Sequence, residues 1–543
     1  MKRFHWGRVA WACLVWAEVA VLGQTPSTLP PQPALRVTTR LVEVSVVAQD
    51  KKGQPIAGLT RDDFTLLDEG RPQPISVFSV ELNQPLATSP ELLPPNTFSN
   101  RLEKGIGISR SATAILFDGL NTRVTDQAYA RQQIIKFLEQ LEPQDRVALY
   151  ALGRGLRVLQ DFTDTPGLLL SALSTYKGEL TPELDLSLSE DADTSLRQFH
   201  TWLDELRLNL IDYYARDRAL RTIRSLVAIA NHVERLPGRK NLIWVSGSFP
   251  FWVGHGAVPL PERLAGKQQS FAPEIERAAR ALNNANLAIY PVDARGLMAP
   301  PDFSPERASI GREPLATERA TFDTMQVLAD RTGGRAFFNT NDIRGALRRA
   351  LEDSGMTYVL GYYPTHGRWN GKFREIKVEV RRPGVALHFR RGYFAQPDEP
   401  SDPWYRQAVL DAAMWSPVDA TRLGLTVRVA VPASDALDLE FQLDPKDITL
   451  QARDGRWEGT LDLLLVQLAP GDRHLKSTSH IANLRLNRET YERAMRDNVL
   501  ALTERLELAP GASLLRVLAR DIPSGALGSV SIPLSRVLSR RGG

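Results

Sequence analysis

Cysteine is nearly absent from this chain: Cys13 is the only one in 543 residues. A single thiol makes no intrachain disulfide and no cysteine-based zinc site. A surplus of one charge is lacking too. The formal net charge is +4, and Lys2, Arg3 and Arg8 against Glu18 carry half of it before residue 20. The near-neutral remainder argues against nucleic acid as a partner, which calls for a concentrated basic surface. After Leu22 no apolar run approaches the ~20 residues of a membrane span. Signatures of catalysis are missing as well. The 8 histidines include no HExxH pattern. Ser246 sits in Val-Ser-Gly-Ser rather than in a nucleophile elbow. Gly153-Arg154-Gly155 reads as a hairpin turn rather than a dinucleotide loop. The chain is therefore expected not to be an enzyme.

What is present is ordinary globular material, 43% apolar and 24% charged, enough for roughly three or four domains at ~100–200 residues each. Residues 1–23 place a basic start before the apolar stretch Val9–Leu22 and small residues near Gly23. That is the pattern of a secretory leader. Cleavage is expected, with an uncleaved anchor as the alternative. After cleavage no membrane span remains, and the protein is expected to be exported to the periplasm, cell envelope or exterior.

Residues 24–35 read as a Pro-rich linker. Residues 36–83 form a small β-module, with Val42, Val44 and Val46 on one face of its first strand. At about 50 residues it is marginal alone and should pack on a neighbour. Residues 84–110 read as a second linker. From 111 to 395, strand and helix patterns alternate. Thr113–Asp118, Arg146–Ala151, Asn241–Ser246, Leu287–Val292 and Met356–Tyr363 read as strands. Asp126–Leu141, Pro166–Tyr176, Arg216–Leu236, Pro273–Asn284, Thr321–Arg331 and Ile343–Ser354 read as helices. Alternation of this kind implies an α/β fold with a mostly parallel sheet covered on both faces. Residues 177–215 read as an acidic, partly helical insertion, its cluster of Asp185, Glu190, Asp191 and Asp193 a solvated loop. Residues 396–420 read as a linker and 421–543 as a β-sandwich with a helix near Glu489–Arg496. Trp202, Trp244, Trp369, Trp404, Trp415 and Trp457 read as core or interface anchors.

Four stretches together carry a family resemblance: VEVSVVAQDKKGQPIAGLTRDDFTLLDEGRPQPISVFS, ILFDGLNT…DQAYARQQIIKFL, NLIWVSGSFP, and TYVLGYYP…GKFREIKVEVRRPGVALHFRRGYF. In them the chain resembles exported bacterial proteins related to von Willebrand factor A (vWA), of the kind common in Acidobacteria. The resemblance spans roughly residues 36–395. It implies a Rossmann-like vWA domain and a binding role, not a catalytic one. The expected function is a binding protein that engages a protein or cell-envelope partner at the top face of the sheet, the alternatives being a structural scaffold with a vestigial vWA site and a secreted hydrolase.

Intact members of that family hold Mg²⁺ or Mn²⁺ through a DxSxS loop, a threonine from a second loop and an aspartate from a third. Oxygen ligands in near-octahedral geometry suit such hard cations. Carried over, the metal candidates here are Asp118, Asn121, Thr122 and Ser246, with Thr181 offered for the second loop. Leu120 replaces the central serine, and Ser246 stands where the third aspartate belongs. The expected site is therefore weak or degenerate, Asp118 capping its own turn being the alternative to metal binding. Asp293, two strands away at about 10 Å, lies too far to share an ion directly. The aromatic stretch Ser248–Gly256, with Phe249, Phe251 and Trp252, leaves the same sheet end and reads as loop packing or a binding surface.

Overall fold

The computed structural model describes residues 40–82, 93–102, 111–142, 144–178, 197–248, 272–297, 325–366, 368–395, 403–433 and 436–538. The leader, the first linker, Thr181, the acidic cluster at 185–193 and residues 249–256 lie outside the described residues.

The first four strands are β1 (Val42–Gln49), β2 (Phe64–Asp68), β3 (Arg71–Gln73) and β4 (Val77–Leu82). Val42, Val44 and Val46 are buried on β1, as their alternation requires. Asp50 turns the chain after β1 by accepting the N–H groups of Lys52 and Gln54 at 2.7 and 2.9 Å.

The stretch read as a second linker contributes a strand. β5 (Thr97–Ser99) pairs with β15 (Leu425–Ala433) of the C-terminal region. Beside it Asn100 is buried. Its amide donates to the carbonyls of Ala420 and Leu423 at 2.7 and 2.9 Å, and its oxygen accepts Leu425 N–H at 2.8 Å. Composition marks 84–110 as loop-like, but a short edge strand needs only backbone groups and so leaves little trace in composition.

Next comes a five-stranded mixed sheet of β6 (Ser111–Asp118), β7 (Val147–Leu152), β8 (Leu156–Thr163), β9 (Arg239–Ser246) and β10 (Leu287–Asp293). Its order is β10-β9-β6-β7-β8. The pairs β10–β9, β9–β6 and β6–β7 run parallel, and β7–β8 is an antiparallel hairpin. One face is covered by α1 (Val124–Leu138), α2 (Pro166–Thr175) and α6 (Ile343–Glu352). The other is covered by α3 (Arg197–Val233), α4 (Ala272–Asn284) and α5 (325–332). Strand parity decides the face. Ile115 and Phe117 meet α1, whereas Ala114 and Leu116 meet α3. The sequence reads 177–215 as a partly helical insertion and a separate helix from Arg216. In the structure α3 is continuous from Arg197, because the charged residues before 216 keep helix propensity even where apolar periodicity is faint.

A further correction concerns Met356–Tyr363, read as a strand of the parallel sheet. β11 (Met356–Tyr362) instead pairs antiparallel with both β1 and β4. It belongs to the sheet β13-β1-β11-β4, which faces a second sheet, β14-β12-β2-β3. The remaining strands of that pair are β12 (Phe373–Val380), β13 (Ala386–His388) and β14 (Gly392–Phe394). Val44, Leu66, Tyr358, Leu360, Ile376 and Val378 share the core between the two sheets. A short apolar run fits a buried strand of either kind, so periodicity alone cannot name its neighbour. This N-terminal sandwich is built from both flanks of the α/β domain, which sits as an insertion between β4 and β11.

The stretch 396–420, also read as a linker, has structure too. α7 (Pro403–Met414) lays Val409, Leu410 and Ala413 on the strands of the C-terminal region. That region packs the sheet β20-β16-β15-β5 against β17-β18-β21-β22, with β19 beside β18. Its strands are β16 (Ala436–Leu443), β17 (Gln451–Arg453), β18 (Arg456–Ala469), β19 (Arg473–Leu486), β20 (Leu500–Glu507), β21 (Leu514–Asp521) and β22 (Leu527–Pro533). Two helices, α8 (Arg488–Asp497) and α9 (Leu534–Leu538), complete it. It docks just past the end of α3 through Arg235, which pairs with Asp444 and Asp447. Nearby the imidazole of His232 donates from Nδ1 to the Asp419 carbonyl at 2.8 Å.

Candidate functional site at the switch point of the α/β sheet

From β6 the chain builds outward to β7 and β8, then returns to place β9 and β10 on the other side. The crevice between the carboxyl ends of β6 and β9 is thus a topological switch point, where open α/β sheets bind ligands. All four candidate residues meet there. Asp118 ends β6, Asn121 and Thr122 follow it, and Ser246 ends β9.

Asp118 has the parity of Ala114 and Leu116, so its carboxylate turns toward α3 rather than outward. It is 0% exposed. Oδ2 accepts from Asn121 Nδ2 at 2.9 Å, Trp244 Nε1 at 2.9 Å and Ser246 Oγ at 2.8 Å. Oδ1 accepts Asn121 N–H at 3.0 Å. Burial pushes the carboxyl above its ordinary range, and these four donors pull against that shift.

The surrounding loop is equally closed. Asn121 Nδ2 also reaches Thr222 Oγ1 of α3 at 2.9 Å. Thr122 Oγ1 accepts Gly247 N–H at 2.8 Å. Gln127 of α1 donates to the carbonyls of Gly119 and Thr122 at 3.1 and 2.8 Å. Ser248 Oγ donates to Asn121 O at 3.1 Å. Residue 247 must be small, since a Cβ there would stand 3.2 Å from Thr122 Cα. Ser246, Thr122 and Asn121 are 0%, 1% and 2% exposed.

A divalent cation needs about six oxygen ligands. Here Oδ2 of the one carboxylate already accepts three hydrogen bonds, and the threonine hydroxyl accepts a fourth from the backbone. This donor set, as arranged, does not fit a metal shared with an incoming partner. Among the described residues no group of three or more His, Cys, Asp or Glu side chains could hold an ion. Asn121 Oδ1 alone in this cluster is buried without a hydrogen-bond partner. Asp293 lies two strands away across β9 and is held by Arg295, with Nε–Oδ1 at 2.9 Å and a terminal guanidinium nitrogen on Oδ2 at 2.7 Å.

Sequence reasoning missed three members of the cluster. The sequence marks Trp244 as a core or interface anchor and not as a site residue. Its buried indole N–H had to find an acceptor, and that requirement was the available signal. Gln127 and Thr222 carry no comparable mark, since only the packing of α1 and α3 brings them to the loop.

No family model matches the sequence, and no curated protein matches it. Among solved structures the chain is similar to an aerotolerance-related membrane protein from Bacteroides fragilis NCTC 9343. That match has 12% identity, covers 45% of this chain and 98% of that one, and has a TM-score of 0.25. It is also similar to a von Willebrand factor type A protein from Catenulispora acidiphila, at 10% identity over 85% and 73% of the two chains with a TM-score of 0.22. The ArnB paralog VWA2 from Sulfolobus acidocaldarius gives 10% identity, 91% and 74% coverage and a TM-score of 0.21. Scores at this level carry no argument, so the fold rests on the strand pairing described above.

Proposed function

We propose that the α/β domain is a vWA-like binding domain of an exported, non-catalytic protein, and that it engages a protein or cell-envelope partner at the carboxyl ends of its strands. One observation carries this reading: the loops after β6 and β9 are locked together at the switch point by Asp118, Thr122 and Ser246. A rigid floor of that kind presents the adjoining surface in a fixed shape, which lowers the ordering cost of binding. Val124 and Leu297, 45% and 62% exposed, follow the carboxyl ends of β6 and β10 and offer apolar contact there. In this reading the aspartate is a pin and partner binding is independent of metal. No helix among the described residues is long and apolar enough to cross a membrane.

A second reading, weak Mg²⁺ or Mn²⁺ binding, is favoured by the unpartnered Asn121 Oδ1. Calorimetric titration with Mg²⁺, Mn²⁺ and Ca²⁺ separates the two. The first reading expects no heat from any of them, and heat abolished by Asn121→Ala supports the second. For the partner, recovery from an envelope extract is compared between the wild type and Val124→Lys/Leu297→Lys. Loss of a recovered protein supports the binding face. Equal recovery moves the role to the β-domains, with the α/β domain as scaffold.

A further inference from the structure

The C-terminal sandwich ends on one side in a long strand with a free edge. β19 pairs with β18 and, among the described residues, with no other strand. One hydrogen bond fixes where its remaining main-chain groups point. Ile522 N–H reaches Thr460 O at 3.0 Å, flanking the Leu461–Asp521 pair of β18 and β21. Thr460 therefore aims its main-chain groups at β21, and by the alternation of an antiparallel ladder so do Asp462 and Leu464. Leu461, Leu463 and Leu465 aim theirs at β19, where they stand opposite Ala482, His480 and Thr478. Between those satisfied residues, Ser477, Ser479, Ile481, Asn483 and Arg485 turn their N–H and C=O groups outward.

Sheet edges are ordinarily blunted by proline, lysine or a bulge. β19 has such protection only at its start, where the register with β18 shifts between Gln467 and Leu468 beside Lys476. From Ser477 to Arg485 it has none. The strand also stands clear of the facing sheet: Ser477, Ser479, His480 and Asn483 are exposed, and Ile481 is 49% exposed. Three of its basic side chains are already matched within the chain. Lys476 lies 3.7 Å from Glu507, His480 3.4 Å from Glu504 and Arg485 3.4 Å from Glu458. An acidic strand from another protein gains little from them.

What the edge does match is itself. A two-fold axis normal to the sheet pairs β19 antiparallel with its own copy about one central residue. Centring on Thr478 sets His480 opposite Lys476, centring on Ser479 sets Arg485 opposite Arg473, and centring on His480 sets that imidazole opposite itself. Basic groups so placed repel. Centring on Ala482 leaves Ser477 facing no strand residue. Centring on Ile481 avoids every such conflict within the strand. It sets Ile481 on Ile481, Asn483 on Ser479 and Arg485 on Ser477, and it covers the one large apolar side chain that β19 exposes.

We propose that β19 is a homodimer interface, the strands of two copies joining edge to edge about Ile481 into one continuous sheet. Main-chain hydrogen bonds between the outward groups of residues 477–485 supply affinity. The Ile481 contact and the placing of the basic residues set the register.

The test uses the full chain with Cys13→Ser, so that no native thiol remains. Sedimentation equilibrium across a dilution series is expected to show reversible dimerisation. Ser479→Pro removes an outward N–H that the fold does not use. It is expected to weaken the dimer at least tenfold with the melting temperature retained. Ile481→Cys is expected to give a disulfide-linked dimer on mild oxidation, because residues facing each other in such a pair stand ~5.5 Å apart between Cα atoms, within disulfide range. Ser477→Cys, set opposite Arg485, is expected to cross-link far less. A monomer at every dilution overturns the proposal, as does a dimer that Ser479→Pro leaves intact. Equal cross-linking at 477 and 481 overturns it through the register. Capture of a foreign protein by a chain that stays monomeric, lost in Ser479→Pro, also overturns it by giving the edge to a foreign strand.

Discussion

The α/β domain and the N-terminal sandwich each close on a buried aspartate held by neutral donors, but they recruit those donors over different distances. Asp118 draws on Asn121, Trp244 and Ser246, from 3 to 128 residues away. Asp68 draws on the hydroxyls of Tyr362 and Tyr393 at 2.9 and 3.0 Å, 294 and 325 residues away. The first carboxylate locks two loops of one sheet. The second ties together chain segments that the whole α/β domain separates. A buried carboxylate without a cation is costly unless hydrogen-bonded, so both mark places where the fold has committed polar groups to one arrangement. The sandwich closes only where the two flanks of the inserted domain meet.

The largest expected effect breaks the first pin. Asp118→Ala removes the acceptor that Trp244 Nε1 and Asn121 N–H use, at about 3 kcal/mol for buried donors losing a partner. Chemical denaturation of the α/β domain is the measurement. A loss near zero would mean that the cluster does not organise the switch point.

Gly392→Ala is expected to strike the sandwich instead, because a Cβ there would meet Arg374 O at 2.1 Å. The shift this forces costs about 2 kcal/mol. Hydrogen exchange should quicken in β12 and β14 and stay unchanged in β6 and β9. Uniform quickening would make the two regions one cooperative unit.

A smaller effect concerns pH. Burial pushes the His232 imidazole down, but the Asp161 carboxylate, 3.5 Å from Nε2, and the Asp419 carbonyl pull harder, so its pKa lies above the usual value. A raised base pKa stabilises the folded state fully below the unfolded value of about 6.5. That stability is lost as pH rises through the folded value. Melts across this window should show stability falling with rising pH in the wild type and a flatter profile in His232→Gln.

Smallest of all, Tyr362→Phe removes one of two hydroxyls on Asp68 and should cost about 1 kcal/mol or less, since Tyr393 still donates. A loss as large as that of Asp118→Ala would erase the contrast between a four-donor and a two-donor pin.

Much of the α/β domain was legible. The apolar run before Asp118, the helix read at Asp126–Leu141 and found at Val124–Leu138, the hairpin at Gly153–Gly155 and the strand ending in Ser246 all follow from periodicity and turn chemistry over a few residues. The convergence of Asp118, Asn121, Thr122 and Ser246 was legible too, because open parallel sheets gather strand ends on one side. Less legible was what those residues do. Oxygen-bearing side chains after a strand suit a metal and a hydrogen-bonded pin equally, and the outcome hung on the parity that turns Asp118 beneath α3 and toward the Trp244 indole.

By itself the sequence determined the elements and their faces, since alternation, helical spacing, Pro at helix starts and Gly in turns act locally. It determined as well that no thiol chemistry is available beyond Cys13. Only the tertiary structure decided that Met356–Tyr362 joins β1 and β4, that Thr97–Ser99 completes a C-terminal sheet, and that β19 is left at the edge of its own. Those outcomes depend on which backbone edges meet once segments far apart in sequence are brought side by side. A strand's own residues set its pattern of faces, but not the neighbour that satisfies its edge.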